Sequence, residues 1–231
     1  MGRVLLACKT LEAEVCSVLD GRTESDLTVE WVSSGLHDTP SLLRDDLQHC
    51  LDAFDDSVER VFMTFGWCGG SVVGLETRGF TTIMPRVDDC ISLLSGSMEA
   101  RAAFEDAKVT YFLTPGWLDG ETNIYQEYLY SLGKYGQDMT HEIYQSILGH
   151  YQYLGMLETG AYDVDAFAQR AETVADTLGL ALKRLPASTR YLHELLDGPW
   201  PANRFVTVPP NSTIEAGWFD FSGQTMPARI A

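Results

Sequence analysis

Apolar runs and amphipathic stretches alternate through the first half of the chain. Continuous apolar runs predict strands at 3–9, 27–36, 58–66, 80–87 and 108–116. Between them, apolar residues recur at helical spacing, as at Leu43, Leu47 and Leu51, and Pro40 after Thr39 is typical of a first helical turn. Apolar strands separated by helices are typical of a parallel sheet covered on both faces. The pattern therefore predicts an α/β fold with an open, mainly parallel sheet and helices on both faces.

The pattern changes after Trp117. Residues 121–180 have helical spacing almost throughout and contain many tyrosines, which predicts a helical, Tyr-rich insertion, subdomain or lid. An apolar run at 181–187 and another at 204–210 predict two further strands. We therefore divide the chain into an α/β core at 1–118, a helical segment at 119–180, and a return to the core with a C-terminal tail at 181–231.

Composition and charge indicate which kinds of molecule the protein is suited to bind. The chain has 231 residues, of which 45% are hydrophobic and 21% charged, as in a folded globular protein. Its net charge of −17 disfavours nucleic acid and anionic membranes, because phosphate contacts need Lys or Arg. No stretch approaches the roughly 18 apolar residues of a membrane span. With no signal peptide and an odd number of cysteines, five, we expect reduced thiols and a cytoplasmic location.

Three of the cysteines lie at the ends of predicted strands. Cys8 ends the first strand, Cys68 follows the third in FGWCGG, and Cys90 follows the fourth. Because ligands bind outside the carboxyl ends of parallel strands, we expect these three thiols to meet. Cys16 and Cys50 fall within amphipathic helices at core-like spacing and are predicted to be buried apolar residues.

Three convergent cysteines suggest a metal site, against the alternative of three independently packed thiols. Thiolates suit zinc, our first choice, or an iron–sulfur cluster, our second. His37, at the end of the second strand, is a candidate fourth ligand. With only three protein thiolates, one position stays open for water or a substrate thiol. Gly69 and Gly70 would let the ligand approach the backbone beside Cys68.

A catalytic cysteine is the alternative chemistry. Cys68 could act as a nucleophile with His37 as its base, while the amides of Gly69 and Gly70 hold an anion. Nucleotide binding has little support, since GWCGGSVVG matches neither a dinucleotide fingerprint nor a phosphate-binding loop.

Arg86 lies at the predicted ligand-binding end of the sheet. It follows the fourth strand and is one of only 16 basic residues. We consider two roles for it, a bidentate anchor for a substrate carboxylate or an ion pair with Asp88 or Asp89.

The segment GWCGGSVVGLETRGFTTIMPRVDDCISLLSGS resembles the signature of a family of uncharacterised proteins grouped as domain of unknown function 1638. LLACKTLEAEV, SSGLHDTPSLLRDDLQ, TYFLTPGW and FVTVPP are similar to the family as well. The resemblance covers 3–117 closely and extends towards residue 210. Family motifs match at Ala7–Cys8, Leu36–His37, Gly66–Gly69 and Asp89–Ile91, whereas Lys9 and Gly70 depart from the pattern.

The resemblance implies a place in one-carbon metabolism. Members of this family accompany corrinoid-dependent methyltransferases of the trimethylamine and glycine-betaine type, an association and not an assigned reaction. We therefore expect a metal site that serves methyl or one-carbon transfer, with a methylated amine or a thiol as the small-molecule substrate. The alternative is a non-enzymatic accessory or metal-handling protein that docks a corrinoid protein, so that the corrinoid is reached through a partner.

Overall fold

The strands form two sheets in the computed structural model, which describes residues 2–23, 26–36, 39–104, 109–120 and 123–221. The first sheet has the order β2-β1-β3-β4-β8, and the second has the order β5-β6-β7. All neighbouring strands are parallel except β8, which runs antiparallel to β4 at the sheet edge. Their bounds are β1 Gly2–Cys8, β2 Leu27–Val32, β3 Val58–Met63, β4 Thr81–Pro85, β5 Thr110–Leu113, β6 Tyr153–Glu158, β7 Ala181–Pro186 and β8 Phe205–Val208.

Helices connect most of the strands, as expected for parallel pairs, whereas the connection from β3 to β4 contains only a short 3-10 helix at Cys68–Gly70. The α-helices are α1 Glu12–Leu19, α2 Pro40–Ala53, α3 Cys90–Ser95, α4 Met98–Ala102, α5 Pro115–Leu118, α6 Ile124–Leu148, α7 Val164–Leu178 and α8 Arg190–Asp197. Pro40 occupies the first turn of α2 with Thr39 as N-cap residue, as the sequence predicts. No helix in the described ranges is long and apolar enough to cross a membrane.

The predicted fold class is confirmed, since the chain is mixed α/β with mainly parallel sheets surrounded by helices. Two features differ from the sequence prediction. The parallel strands are divided between two sheets, and β6 lies inside the segment that was predicted to be almost wholly helical. The sequence of β6, YLGMLE, is rich in helix-forming residues, and pairing with β5 and β7 overrides that preference. The division of the chain at 118 and 180 stays a prediction.

Buried apolar side chains join the two sheets into one body. A cluster between them includes Leu5 and Phe62 from the first sheet and Phe112 and Leu157 from the second, with residues of α1, α3 and α8 among them. Helix α2 covers the other face of the first sheet. Helix α7 covers the other face of the second sheet. Each parallel sheet is therefore buried on both faces.

The two sheets also meet at their carboxyl ends. Gly116, in the short helix after β5, packs directly on the backbone after β1, where a Cβ added to it would lie 2.0 Å from the carbonyl oxygen of Thr10. A Cβ on Gly120 would lie 3.0 Å from the Ser34 hydroxyl, which follows β2. The loops after β1, β2 and β5 are thus in contact on the side of the molecule where the cysteines of the first sheet lie.

Helix α6 is folded into two antiparallel halves, which we call the α6 hairpin (residues 124–148). Gly136 has φ 78° and ψ 175°, which interrupts the helical backbone. The ring centroids of Tyr128 and Tyr144 are 4.9 Å apart. In one continuous helix these residues would be separated by about 24 Å. The chain therefore turns back on itself at Gly136.

Candidate functional site

The loops that follow β3 and β4 run side by side beyond the ends of the strands. The backbone N–H of Trp67 donates to the carbonyl of Val87 at 2.8 Å, and the N–H of Cys68 donates to the carbonyl of Asp88 at 2.7 Å. These bonds place Cys68 against the turn that contains Cys90. The loop of Cys68 is thus fixed to the turn before Cys90 by backbone hydrogen bonds.

The backbone at Cys68 is left-handed. Its φ is 43°, and Gly69 and Gly70 follow with φ of 73° and 86°. A left-handed cysteine is uncommon, because its Cβ crowds the backbone, whereas glycine accepts this conformation readily. The two glycines are therefore required by the shape of the loop. Their predicted second role, to let a ligand approach the backbone, stays a prediction.

Arg44 on α2 holds this loop from outside the predicted site. Its guanidinium donates to the carbonyl of Gly70 at 2.9 Å and to that of Ser71 at 3.3 Å. These bonds satisfy carbonyls of an irregular segment that lacks a strand partner. Arg44 is a positioning residue that the sequence did not single out, because its partners are backbone atoms on another element.

Cys8 is buried at the end of β1. Its backbone N–H donates to the Thr64 hydroxyl at 3.0 Å, and its Sγ lies 3.0 Å from the hydroxyl of Thr10. Burial raises the pKa of the Cys8 thiol, and the hydrogen bond with Thr10 opposes that effect. Thr64 follows β3, so Cys8 is tied to the same strand end that leads to Cys68.

Cys90 is the first residue of α3. Asp89 caps this helix, since its carboxylate accepts from the N–H groups of Ile91 at 2.9 Å and Ser92 at 3.1 Å. The cap fixes the turn after β4 and so the position of the Cys90 thiol.

Arg101 of α4 binds both aspartates of this turn. Its Nη1 lies 3.1 Å from a carboxylate oxygen of Asp88 and 2.6 Å from one of Asp89. The guanidinium also lies over the ring of Phe112 on β5, 5.3 Å from its centroid. Arg101 therefore joins the acidic turn of the first sheet to the second sheet.

The three strand-end thiols are close enough to influence one another. Burial raises the pKa of Cys68, and the charges of Asp89 and Cys8 raise it further. Burial also raises the pKa of Cys90, with further contributions from Asp89, Cys8 and Cys68. The three cysteines thus lie in one region of the molecule, and their convergence on a shared ligand stays a prediction. Their raised pKa values keep the thiols protonated at neutral pH.

The described residues do not contain a preformed metal site. Within the described ranges, no group of three or more His, Cys, Asp or Glu side chains is placed so that it could hold a metal ion. His37 lies outside the described residues, so its predicted roles as fourth ligand or base stay predictions.

Arg86 does not pair with the aspartates that follow it. Its guanidinium donates to the backbone carbonyls of Ala202 at 3.0 Å and Asp220 at 2.7 Å, so it holds the C-terminal segment against β4. The ion pair with Asp88 and Asp89 is made by Arg101 instead. The role of Arg86 as a substrate anchor stays a prediction.

The two remaining cysteines lie on helices and not at strand ends. Cys50 is half-buried on α2, and burial together with Asp46 raises its pKa to about 11. Cys16 is exposed on α1, so the prediction that it is a buried core residue is wrong. The buried stripe of α1 runs through Glu14 and Val15 and leaves Cys16 on the solvent side.

Glu14 is a buried carboxyl group that the sequence interpretation missed. It is 0% exposed, and the hydroxyl of Thr159, which follows β6, donates to it at 3.0 Å. Its other oxygen has no hydrogen-bond partner among the described residues. Burial raises its pKa. Its burial could have been predicted from the sequence, because Glu14 lies on the same face of a helix as Leu11, Val15 and Val18.

Comparison with known proteins identifies a family. The model of the family described as protein of unknown function (DUF1638) matches residues 31–196, more than two thirds of the chain. The matched range includes Cys68 and Cys90, whereas Cys8 precedes it. No curated protein matches the chain, and no solved structure does. The chain therefore belongs to the DUF1638 family, as the motifs around Cys68 and Cys90 predict.

Proposed function

We propose that the protein binds a zinc ion through Cys8, Cys68 and Cys90 and uses it on a small-molecule substrate. The observation that carries the proposal is the placement of three cysteines at the ends of three neighbouring strands, where Cys8 raises the pKa of Cys68 and of Cys90. Thiolates are preferred zinc ligands, and the carboxyl end of a parallel sheet is the usual place for a ligand.

The charges around the thiols favour a divalent cation. Asp88 and Asp89 share a single guanidinium, that of Arg101. Burial and Asp89 already raise the pKa of Asp88, so further negative charge here is unfavourable. Three thiolates would add it, and a zinc ion would offset it. Because zinc displaces thiol protons, we expect metal affinity to fall as pH falls.

Zinc binding requires a local rearrangement. The thiols do not form a ready-made group of three ligands, so their side chains must turn towards one another. The fourth position would be filled by His37, by water or by a substrate thiol. An iron–sulfur cluster is the second choice for the same three ligands.

The proposed reaction class comes from the family. We propose methyl or one-carbon transfer with a methylated amine or thiol as substrate, and this link rests on the resemblance described above. An accessory role beside a corrinoid protein is the alternative, and Cys68 as the nucleophile of a hydrolase is a weaker one. The raised pKa of Cys68 argues against the nucleophile, because the thiolate is the reactive form.

Metal analysis of anaerobically purified protein tests the proposal. We expect about one zinc per chain, and loss of that zinc when Cys8, Cys68 or Cys90 is replaced singly by serine. Cys16→Ser is the matched control, because Cys16 is exposed on α1 and is not at a strand end. A broad visible absorbance with bound iron would indicate the cluster.

Three results would contradict the proposal. Metal-free protein after anaerobic handling would exclude both metals. Equal zinc in the wild type and all three variants would place any metal elsewhere. Loss of activity in Cys68→Ser alone, with the other two variants unaffected, would favour the nucleophile. For the accessory alternative, we would expect a corrinoid protein to copurify without turnover of methylated amines.

A further inference from the structure

Exposed apolar side chains are concentrated on the α6 hairpin. In the part of the chain that the structure describes, six large apolar side chains are exposed, and five of them are on this hairpin. Tyr130 is the most exposed, at 65%. The others on the hairpin are Leu129, Tyr135, Met139 and Ile147. Concentration of apolar area on one element is typical of an interaction surface.

The hairpin has an inner and an outer face. Tyr128 and Tyr144 pack edge to face between its two halves. On the first half, Glu127, Tyr130 and Lys134 follow one another at helical spacing on the outer face. On the second half, Met139 and Ile147 are exposed two turns apart. An apolar stripe with charged residues at its ends therefore faces outwards.

We propose that the α6 hairpin is the interface of a homodimer, in which it packs against the same hairpin of a second copy of this chain. Two helical hairpins joined in this way form a four-helix bundle, which is a common closed arrangement. A two-fold axis requires the surface to be complementary to itself. The pattern of charges on the outer face meets this requirement.

Glu127 and Lys134 flank Tyr130 at nearly equal distances along the helix. If the first halves of the two hairpins pack antiparallel, with the axis beside Tyr130, Glu127 of one copy lies opposite Lys134 of the other. Symmetry repeats this pair on the other side of the axis. The two tyrosines then lie at the centre, where aromatic residues contribute most to binding.

Gly133 gives independent support. It lies within the first half of the hairpin, one turn after Tyr130, and a Cβ added to it would meet no atom within 4 Å. Nothing in the described chain thus requires glycine here, although alanine would favour the helix by about 1 kcal/mol. A second helix packed closely against this face would explain the glycine.

The available area suits a dimer. Each of the five apolar side chains exposes roughly half of its surface, on the order of 500 Å² in total. A standard interface buries about 800 Å² on each partner, and neighbouring polar side chains would supply the difference. The net charge of −17 opposes association of two copies, so salt near physiological concentration is needed to screen it.

Sedimentation of the full chain over a concentration series tests the proposal. We expect a dimer at micromolar concentration. Tyr130→Lys should shift it to a monomer, since it places two ammonium groups at the centre of the interface. Leu42→Lys is the matched control, because Leu42 is 53% exposed on α2 and should leave the dimer intact. Circular dichroism should show the same fold in both variants.

A charge exchange tests the antiparallel arrangement. Glu127→Lys and Lys134→Glu alone each create two like-charge pairs and should weaken the dimer about tenfold. The double variant restores opposite charges and should recover the wild-type dissociation constant. A wild type that stays monomeric, or a Tyr130→Lys variant that stays dimeric, would overturn the proposal. So would a double variant weaker than either single one.

Discussion

The strand-end site buries polar side chains, whereas the α6 hairpin exposes apolar ones. Both are the reverse of the usual distribution between the interior and the surface of a protein. Around the strand ends, the polar residues Thr10 and Thr64 are buried, as is Glu14 on the neighbouring helix α1. On the hairpin, Tyr130 and Met139 are exposed. Buried polar groups and exposed apolar groups are both informative, because each is unfavourable without a partner.

The side chains of the two regions differ in what they contact. At the strand ends, Arg101 binds Asp88 and Asp89, and Arg44 binds the loop of Cys68, so the geometry is held by contacts within the chain. On the hairpin, the exposed apolar side chains can be removed from water only by contact with another molecule. Substitutions at the strand ends should therefore change the free energy of unfolding, whereas those on the outer face of the hairpin should change association.

The largest difference in stability between the two regions is expected when a glycine in each is replaced by alanine. Gly116→Ala brings a Cβ to 2.0 Å from the backbone of Thr10 and should destabilise the fold by about 3 kcal/mol, because neither backbone can move easily. Gly133→Ala on the hairpin meets open space and should stabilise the monomer by up to about 1 kcal/mol. Urea unfolding at concentrations that keep the chain monomeric measures both. Equal effects would contradict the comparison.

A smaller difference in stability is expected when the arginine of an ion pair is removed from each of two pairs, one buried and one exposed. Arg101→Ala leaves Asp88 and Asp89 largely buried without a counter-charge and should cost about 2 kcal/mol of stability. The loss should shrink as pH falls, since protonation of Asp88 removes the unpaired charge. Arg78→Ala breaks the pair with Asp52, whose side chains are about half exposed, and should change stability by less than about 0.5 kcal/mol. Urea unfolding at two pH values distinguishes them.

The subtlest expectation concerns the pH dependence caused by Glu14. Burial raises its pKa in the folded state, so the folded chain holds this proton more tightly than the unfolded chain. Its contribution to stability is complete below the unfolded pKa and is lost as pH rises through the folded pKa. Glu14→Gln cannot titrate, so the variant should gain stability relative to the wild type as pH rises above the usual pKa of a glutamate.

Urea midpoints of both proteins at increasing pH provide the measurement. Asp88 also has a raised pKa, but it contributes equally to both proteins and cancels in the difference. Parallel curves would mean that Glu14 does not titrate differently in the folded state.

Local patterns in the sequence were sufficient to locate the cysteines of the candidate site. Strands β1, β3 and β4 are compact apolar runs, so their ends were readable, and Cys8, Cys68 and Cys90 could be assigned to the same edge. The N-cap of α4 is equally local, since the hydroxyl of Ser97 accepts from the N–H of Ala100 at 3.0 Å. These features depend on neighbours in sequence.

Features that depend on contacts between residues far apart in the sequence could not be predicted from it. Strand β6 contains Gly155 where helix-forming residues surround it, and only the sheet explains the glycine, since a Cβ there would lie 2.5 Å from Thr110 and 2.8 Å from Leu185. Arg101 was likewise not predicted to belong to the site, because its contact with Asp88 depends on how α4 packs. The division into two sheets has the same origin.

The position of β8 sets the order in which the chain can fold during synthesis. Strand β4 is complete at Pro85, yet its antiparallel neighbour is Phe205–Val208, near the end of the described chain. The entire second sheet is made in the interval. Until then β4 is an open, apolar edge, which is the type of surface that pairs wrongly with other chains. Complete protection of the first sheet therefore waits until Phe205–Val208 has left the ribosome.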